Sequence, residues 1–489
     1  MKKSWMSELA SHYERMRKRY PDDRLMIVFD IDGTILDMRY MIFFTLKKYD
    51  KVHRTHLFDQ LQLADVSVHE NQLERLLENL GIPPKRRGTI LNWYEKNRWS
   101  SRLILQSHRP FAGVLEVIRW FQLQPKTYVG LDTGRPQALR RDTLRSLNEL
   151  GTEYCVRFSE DLLYMNPDGW EHGVKEAKVS GIQHFQSRGF RVFAFVDNEP
   201  ENLNAVSRLD PDHEILLLHA DTIFESKRQL LPSRSVEGNT YDLTELIQKQ
   251  RLPRHVRFVW HGINDEKNLQ QFLDSEITWG ECDVMWDPVG YDLILRHDSF
   301  KQRPLEPKER WLTFESILRR FLERGKSIKI DLKAGGALID KVLRILADHG
   351  VSDDRVWFNG NVEHLQESGI RKIARAHPKA VLQCPVDFLA PLVVTMPEKA
   401  KEMLDLYRSW GVNLFSISWL TDDIRPFFDQ MYRWGFEVNI YNVPDLASFL
   451  QAVLLMPRSI TSDFNFPQWH YYGRGAGKEG SYHEYAREE

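Results

Sequence analysis

The sequence predicts an α/β protein in two parts: a Rossmann-like parallel sheet with an inserted helical cap, followed by a TIM-type (β/α)8 barrel. Three observations carry this reading. Short apolar runs alternate with helix-period stretches almost throughout, the pattern of parallel βαβ units. At 489 residues the chain exceeds what one hydrophobic core ordinarily serves, so more than one domain is expected. The basic run "KQRLPRHVR" around Pro253 interrupts the pattern and reads as a linker, after a polar helix that ends at Gln250. The expected domains are therefore 1–250 and 251–475, with a polar tail at 476–489.

In the first part three strands stand out: Leu25–Phe29, Thr127–Leu131 and Val192–Val196, each ending in polar residues. Between the first two, "NQLERLLENLGI" and "RGTILNWYEKNRW" have helical spacing, so residues 40–110 read as a helical insertion. The second part offers nine strand candidates: "HVRFVWHG", "WGECDVMW", "YDLILRHD", "SIKIDLKA", "RVWFNGN", "AVLQCPV", "LFSISWL", "EVNIYNV" and "SITSDF". Helical stretches such as Phe314–Arg324 and Ala337–Asp348 separate most of them. Taking "YDLILRHD" as a short excursion leaves eight, the number that closes a (β/α)8 barrel. Both architectures place ligands at the carboxyl ends of strands, and that is where the acidic residues fall.

Composition narrows the function classes. Apolar residues at 42% and charged residues at 28% give a soluble globular balance. A net charge of −2 provides no electrostatic footprint for nucleic acid or an anionic membrane, and basic fragments such as "RHVR" are too few to supply one. Cys155, Cys282 and Cys384 are widely spaced, which suggests neither a disulfide framework nor a zinc site. No apolar stretch follows Lys2 and Lys3, so no signal peptide is expected. No run of about 18 apolar residues predicts a membrane span. The expectation is a cytoplasmic enzyme acting on a small phosphorylated substrate or a phosphodiester, for the following reasons.

In "LMIVFDIDGTILDM" an apolar strand ends in Asp30 and Asp32, followed by Gly33. Buried carboxylates are costly unless paired or coordinated. "YVGLDTGRP" supplies Thr133 after the second strand, with Arg135 as either a phosphate contact or a solvated loop charge. "KEAKVSGIQHF" supplies Lys178, with Lys175 as the alternative, and "FAFVDNEPENL" supplies Asp197 and Glu201 after the third strand. These four pieces, in this order across residues 20–230, resemble the haloacid-dehalogenase superfamily. The resemblance implies that Asp30 attacks phosphorus to form an aspartyl-phosphate, while Asp32 protonates the leaving oxygen and later activates water. Thr133 and Lys178 would hold phosphoryl oxygens. Asp197 would bind Mg2+ with Asp30 and Asp32, with Glu201 in support. An acid at position 32 goes with phosphate transfer in this family, and the 40–110 insertion is then the cap that sets substrate choice.

The second part has its own series. His261 ends the strand in "FVWHGIND"; Glu281 and Asp283 alternate on one face of "GECDVMW"; His297 and Asp298 follow in "LRHDSF". Asp331 and Lys333 alternate in "IKIDLK", and "SITSDFNFP" closes the series near Asp463. This looks like the glycerophosphodiester phosphodiesterase superfamily, the phospholipase-C-like barrels. Gly262 stands where arginine usually follows the histidine, and Asp331 where glutamate is commoner. Both departures lean toward the sphingomyelinase D and menorin branches, whose "HxxN" is met by His261 and Asn264. The resemblance implies one Mg2+ or Ca2+ held by Glu281, Asp283 and Asp331. His261 and His297 would act as general base and general acid, with Lys333 opposing developing negative charge. Trp260, Trp279, Trp286, Trp357 and Trp419 lie near strand ends and read as core.

The two series together imply a bifunctional phosphoric-ester hydrolase. The barrel would cut a phosphodiester, by hydrolysis or cyclisation, and the first domain would dephosphorylate the monoester. The alternatives are a phosphatase with a non-catalytic binding barrel, and an RNA or nucleotide end-processing enzyme, which the net charge leaves unsupported.

Overall fold

The computed structural model describes residues 4–167, 169, 173–222, 230–248, 251–307, 309–464 and 466. The chain divides into two units, Met1–Gln248 and Lys249–Glu489. The tail expected at 476–489 and the helix end expected at Gln250 lie outside the described residues. The helix before them runs Leu243–Leu246 and is capped by the Asp242 side chain.

The first unit contains β1 (Arg24–Phe29), β2 (Thr127–Pro136), β3 (Leu163–Asn166), β4 (Phe190–Asp197), β5 (Leu216–Ala220) and β6 (Val236–Gly238). They form a parallel sheet in the order β3-β2-β1-β4-β5-β6. Leu25 to Phe29 are all buried, because helices cover both faces of a central parallel strand. The three expected strands are present. The short β3, β5 and β6 and an N-terminal helix, Trp5–Arg19, are additions. The chain builds outward from β1 through β2 to β3, then returns to β4 on the other side. That reversal opens a crevice at the carboxyl ends of β1 and β4. Asp30 follows β1 directly, its N–H donating to the Val196 carbonyl at 2.8 Å, and Asp197 ends β4.

The expected insertion is helical, with helices Arg39–His53, Leu73–Asn79, Pro84–Asn97 and Ser101–Ser107. It has a core of its own, including Ile42, Leu46, Leu77, Ile90 and Tyr94, separate from the core under the sheet around Met26, Val28 and Phe185.

The second unit contains β7 (Arg257–Trp260), β8 (Trp279–Trp286), β9 (Leu293–Leu295), β10 (Ser327–Leu332), β11 (Val356–Asn359), β12 (Val381–Pro385), β13 (Leu414–Ser418), β14 (Val438–Tyr441) and β15 (Ser459–Ser462). Eight of them pair in parallel around a closed ring, with β8 against β10 and β15 against β7. β9 pairs antiparallel with the end of β8, so "YDLILRHD" is an excursion outside the ring, as expected. The β8–β10 register sets Glu281 beside Lys329 and Asp283 beside Asp331. Trp260, Trp279 and Trp357 are buried in this unit's core, while Trp286 and Trp419 are half-buried. Among the described residues no helix is long and apolar enough to cross a membrane.

Helix Val174–Ser187 of the first unit lies unusually close to β2. A Cβ on Gly181 would stand 2.2 Å from Asp132 Oδ2 and 2.4 Å from its Cγ. Gly181→Ala should gain about 1 kcal/mol in helix propensity and lose roughly 1–3 kcal/mol to overpacking. The net expectation is a lower midpoint in urea unfolding, restored when Asp132→Ala is added to make room. A Gly181→Ala protein as stable as the parent would show that the contact is slack.

Candidate active sites

Lys178 gathers the first site. It is 1% exposed, and its Nζ contacts Asp30 Oδ1 and the Asp132 carbonyl and lies 3.3 Å from Asp197 Oδ2. Burial works against the ammonium, but Asp30, Asp197 and Asp132 outweigh it and hold its pKa well above the ordinary lysine value. Asp197 Oδ1 accepts from the Glu199 N–H at 2.8 Å, and both its oxygens accept from Asn202 Nδ2 at 3.1 Å. Burial raises the pKa of Asp30 and Asp197 against the pull of Lys178. It raises Asp132 well above a carboxylate's ordinary range, and neither Asp132 oxygen has a hydrogen-bond partner among the described residues. One ammonium faces the buried carboxyl groups of both Asp30 and Asp197. Asp30 and Asp197 therefore fit a divalent cation, and their hard oxygens suit Mg2+.

Asp32 is placed differently from the expectation. Its carboxylate is held by Arg135, with Nε to Oδ2 at 2.7 Å and Nη2 to Oδ1 at 2.5 Å. It does not join Asp30 and Asp197 in a converging trio; among the described residues such a trio occurs only in the barrel. Arg135 is buried, not a solvated loop charge. Its Nη1 donates to Thr143 Oγ1 at 3.0 Å and its Nη2 to His108 Nε2 at 3.2 Å. Burial and Arg135 keep the pKa of His108 well below the ordinary histidine value. Its neutral ring therefore accepts at Nε2 and donates from Nδ1 to Ser146 Oγ at 2.6 Å.

Thr133 is buried next to this network, its Oγ1 accepting from the Arg135 N–H at 3.3 Å. Of the two candidate lysines, Lys178 reaches the carboxylates, whereas Lys175 is exposed and pairs with Glu201 at 3.3 Å. The hydrogen bonds that fix Asp197 thus come from Asn202 and Glu199, with Glu201 at the rim. A cavity of about 680 Å³ opens over Asp30, Asp32, Thr133 and Lys178, and residues of the helical insertion such as His69, Arg98 and Trp99 also line it. His69 Nε2 meets Glu199 Oε1 at 3.3 Å.

In the barrel, ligand atoms of Glu281, Asp283 and Asp331 lie within 4.8 Å of one another. Each carboxylate is fixed by a neighbour. Glu281 accepts from the Gly262 N–H at 2.7 Å, Asp283 from Asn264 Nδ2 at 2.5 Å, and Asp331 from Asn359 Nδ2 at 2.7 Å. Lys333 Nζ bridges Asp283 at 2.7 Å and Asp331 at 2.5 Å. Burial, and then Asp283, push Glu281 up to about 7. For Asp283 burial acts upward, but Lys333, His297 and His261 outweigh it and lower its pKa. Lys329, on the same face of β10, is pulled down to about 8 by burial and donates to Thr461 Oγ1 at 3.1 Å. Three converging carboxylates fit a divalent cation bound through oxygen.

His261 follows β7, where β15 is the neighbouring strand. Its N–H donates to the Ser462 carbonyl at 3.0 Å and its Nδ1 to Asp463 Oδ1 at 2.9 Å. Burial lowers its pKa, but Asp463 and Glu281 prevail and raise it to about 9. His297 is not packed into this cluster. Its side chain is 62% exposed on the loop after β9 and bonded to Asp298 at 2.7 Å, so it reaches Asp283 only through space.

Sequence reasoning missed several participants. Lys329 was legible from the alternation of "IKIDLK", and Asp132 stood beside Thr133. His108, Asn202 and Asn359 carry no local signal, since their partners are brought in by the fold.

No family model matches the chain, and no curated protein matches it. Solved structures similar to it include an Oleispira antarctica phosphodiesterase in complex with the product sn-glycerol-3-phosphate, at 17% identity and a TM-score of 0.34, covering 45% of this chain and 95% of that one. A glycerophosphodiester phosphodiesterase from Agrobacterium tumefaciens is 14% identical with a TM-score of 0.31, covering 42% and 95%. A class C acid phosphatase from Bacillus anthracis is 10% identical with a TM-score of 0.27, covering 45% and 76%. At these identities and scores the similarities assign no activity to this chain.

Asp463→Asn removes the carboxylate that holds the His261 proton. In the presence of a chelator, the His261 pKa followed by NMR should fall by about one unit or more. A folded pKa of about 9, above an unfolded value of about 6.5, stabilises fully below the latter and loses its contribution as pH rises through the former. The parent should therefore exceed the variant in stability near pH 6 and converge with it above pH 9. An unmoved His261 titration would show that the pair is inert.

Proposed function

We propose that this chain is a two-site phosphoric-ester hydrolase, with a phosphomonoesterase in the first unit and a phosphodiester-cleaving barrel in the second. The observation that supports it most is Lys178. A buried ammonium that ties the strand-end acids Asp30 and Asp197 to the backbone of β2, beside Thr133, is arranged to receive a phosphoryl group.

In the first unit Lys178 holds one Asp30 oxygen, and the other attacks phosphorus. The new P–O bond forms as the ester P–O bond breaks, and Asp32 gives a proton to the departing alkoxide. Asp32 then takes a proton from water. That water attacks the same phosphorus, breaks the acyl-phosphate P–O bond, releases inorganic phosphate and restores Asp30. For either transfer one of the two Arg135 bonds to Asp32 has to open. In the barrel, His261, oriented by Asp463, takes the proton of the attacking water or of a hydroxyl on the substrate itself, giving hydrolysis or cyclisation. His297, free of packing on its loop, protonates the leaving oxygen. Lys333 opposes the charge that develops. Divalent cations, Mg2+ at Asp30 and Asp197 and Mg2+ or Ca2+ at Glu281, Asp283 and Asp331, supply charge neutralisation of the phosphoryl oxygens when bound.

One observation favours a second reading of the barrel. Lys333 already bridges two of its three carboxylates, which gives them a counter-charge without any ion. On that reading the barrel is a binding scaffold, and only the first unit turns over substrate.

A panel of phosphomonoesters and phosphodiesters, assayed with Mg2+ and with Ca2+, tests both. Asp30→Asn should remove monoester turnover by orders of magnitude, because an amide cannot form the acyl-phosphate, while sparing diester cleavage. His261→Ala should do the reverse by about 10²–10⁴-fold. Full monoesterase activity in Asp30→Asn would sink the phosphatase assignment. No diester cleavage by the parent protein under either ion would leave the barrel as a scaffold. Loss of both activities in a folded His261→Ala protein would show that the sites are coupled.

A further inference from the structure

Arg98, at the end of cap helix Pro84–Asn97, has binding capacity that nothing above uses. It lines the cavity that Asp30 and Lys178 also line. Its Nη2 lies 2.9 Å from Glu95 Oε2, while Nε and Nη1 are buried without a hydrogen-bond partner among the described residues. Those two nitrogens carry three of the five N–H donors of a guanidinium, a group that cannot satisfy itself by accepting. The guanidinium is not slack: it lies 5.3 Å from the Tyr94 ring centroid and 5.6 Å from that of Trp99. On the same Trp99 ring, at 4.9 Å, sits Arg135, the holder of Asp32.

The acids lining the cavity do not complete Arg98. Glu199 is met by His69, Glu201 and Glu176 by Lys175, and Glu95 takes only one of the Arg98 nitrogens. Leaving buried donors unmade is unfavourable, and guanidinium N–H groups pair well with the oxygens of a carboxylate or phosphate. The strand-end residues already provide for the transferring phosphoryl group. A second anionic group would therefore belong to the leaving alcohol, which faces the cap.

Resting on the phosphatase reading of this cavity, we propose that Arg98 is its specificity-determining residue and that the substrate is a small phosphomonoester bearing a second anionic group on its alcohol. Two matched pairs test this with Mg2+: 2-phosphoglycolate against ethyl phosphate, and 1,3-propanediol bisphosphate against 3-hydroxypropyl phosphate. The pair with the larger ratio separates a carboxylate from a phosphate as the second group. The parent protein should favour the doubly anionic member of at least one pair by about tenfold or more in kcat/KM. Arg98→Gln should erase that preference while leaving the singly anionic ester within about threefold, and Arg98→Lys should keep part of it. No preference in the parent protein, or an equal loss on all esters in Arg98→Gln, overturns the proposal while the phosphatase reading stands. If no monoester is turned over, that reading fails and calorimetry still decides on Arg98. Tighter binding of phosphonoacetate than of ethylphosphonate, lost in Arg98→Gln, supports it; equal affinities, or a preference that survives the substitution, overturn it.

Discussion

Negative charge buried at the carboxyl ends of parallel strands is the constraint around which both units are built. A carboxylate taken out of water is tolerated only if a counter-charge or several donors come with it. In the first unit the counter-charge is Lys178, reaching Asp30, Asp197 and the backbone of β2 at once. In the barrel it is Lys333, lying between Asp283 and Asp331. In neither place does the lysine balance the acids it serves. Asp30 and Asp197 share one ammonium in the first unit, and in the barrel Lys333 bridges only two of the three carboxylates, with His261 and Lys329 acting on Glu281. Each cluster concentrates carboxyl oxygens of the kind that suit a divalent cation.

Packing follows from that requirement. Lys178 reaches its partners only because helix Val174–Ser187 approaches β2 closely, and that approach depends on Gly181 having no side chain. The same closeness strands Asp132, whose carboxyl is buried without a donor among the described residues and whose pKa burial raises. The helical insertion solves a different problem. It has its own apolar core, so its inner wall can present polar and aromatic groups such as His69, Arg98 and Trp99 to the cavity without drawing on the core beneath the sheet.

How much was legible in the sequence follows from which physical signals are local. The apolar run before Asp30, the alternation of Glu281 with Asp283 and of Asp331 with Lys333, and the strand–helix rhythm of the barrel are all short-range patterns, and each placed its element. β3, β5 and β6 run from 3 to 5 residues, too short to build a period, and they escaped notice. Side-chain partnerships across the chain escaped for another reason. Arg135 lies 103 positions from Asp32, and His261 lies 202 positions from Asp463. The order of motifs could name Asp32 and His297 as participants. It could not show that Asp32 turns to an arginine, or that His297 stands exposed on a loop.

Those two long-range pairs use one device with opposite sign. The Asp32 carboxyl is held by a buried cation, and the His261 ring by an anion. An ion pair favours the charged form of each partner. Asp463 thus favours His261 as an imidazolium. With Asp463 and Glu281 both pulling, His261 reaches about 9 and keeps its proton at neutral pH. Positive charge placed among Glu281, Asp283 and Asp331 cancels the carboxylate share of that pull and leaves Asp463 alone. The histidine then moves toward the range in which it can take a proton as well as give one. The carboxylate cluster and the His261 ring are in this sense a single electrostatic unit, in which charge placed at the first shifts the second.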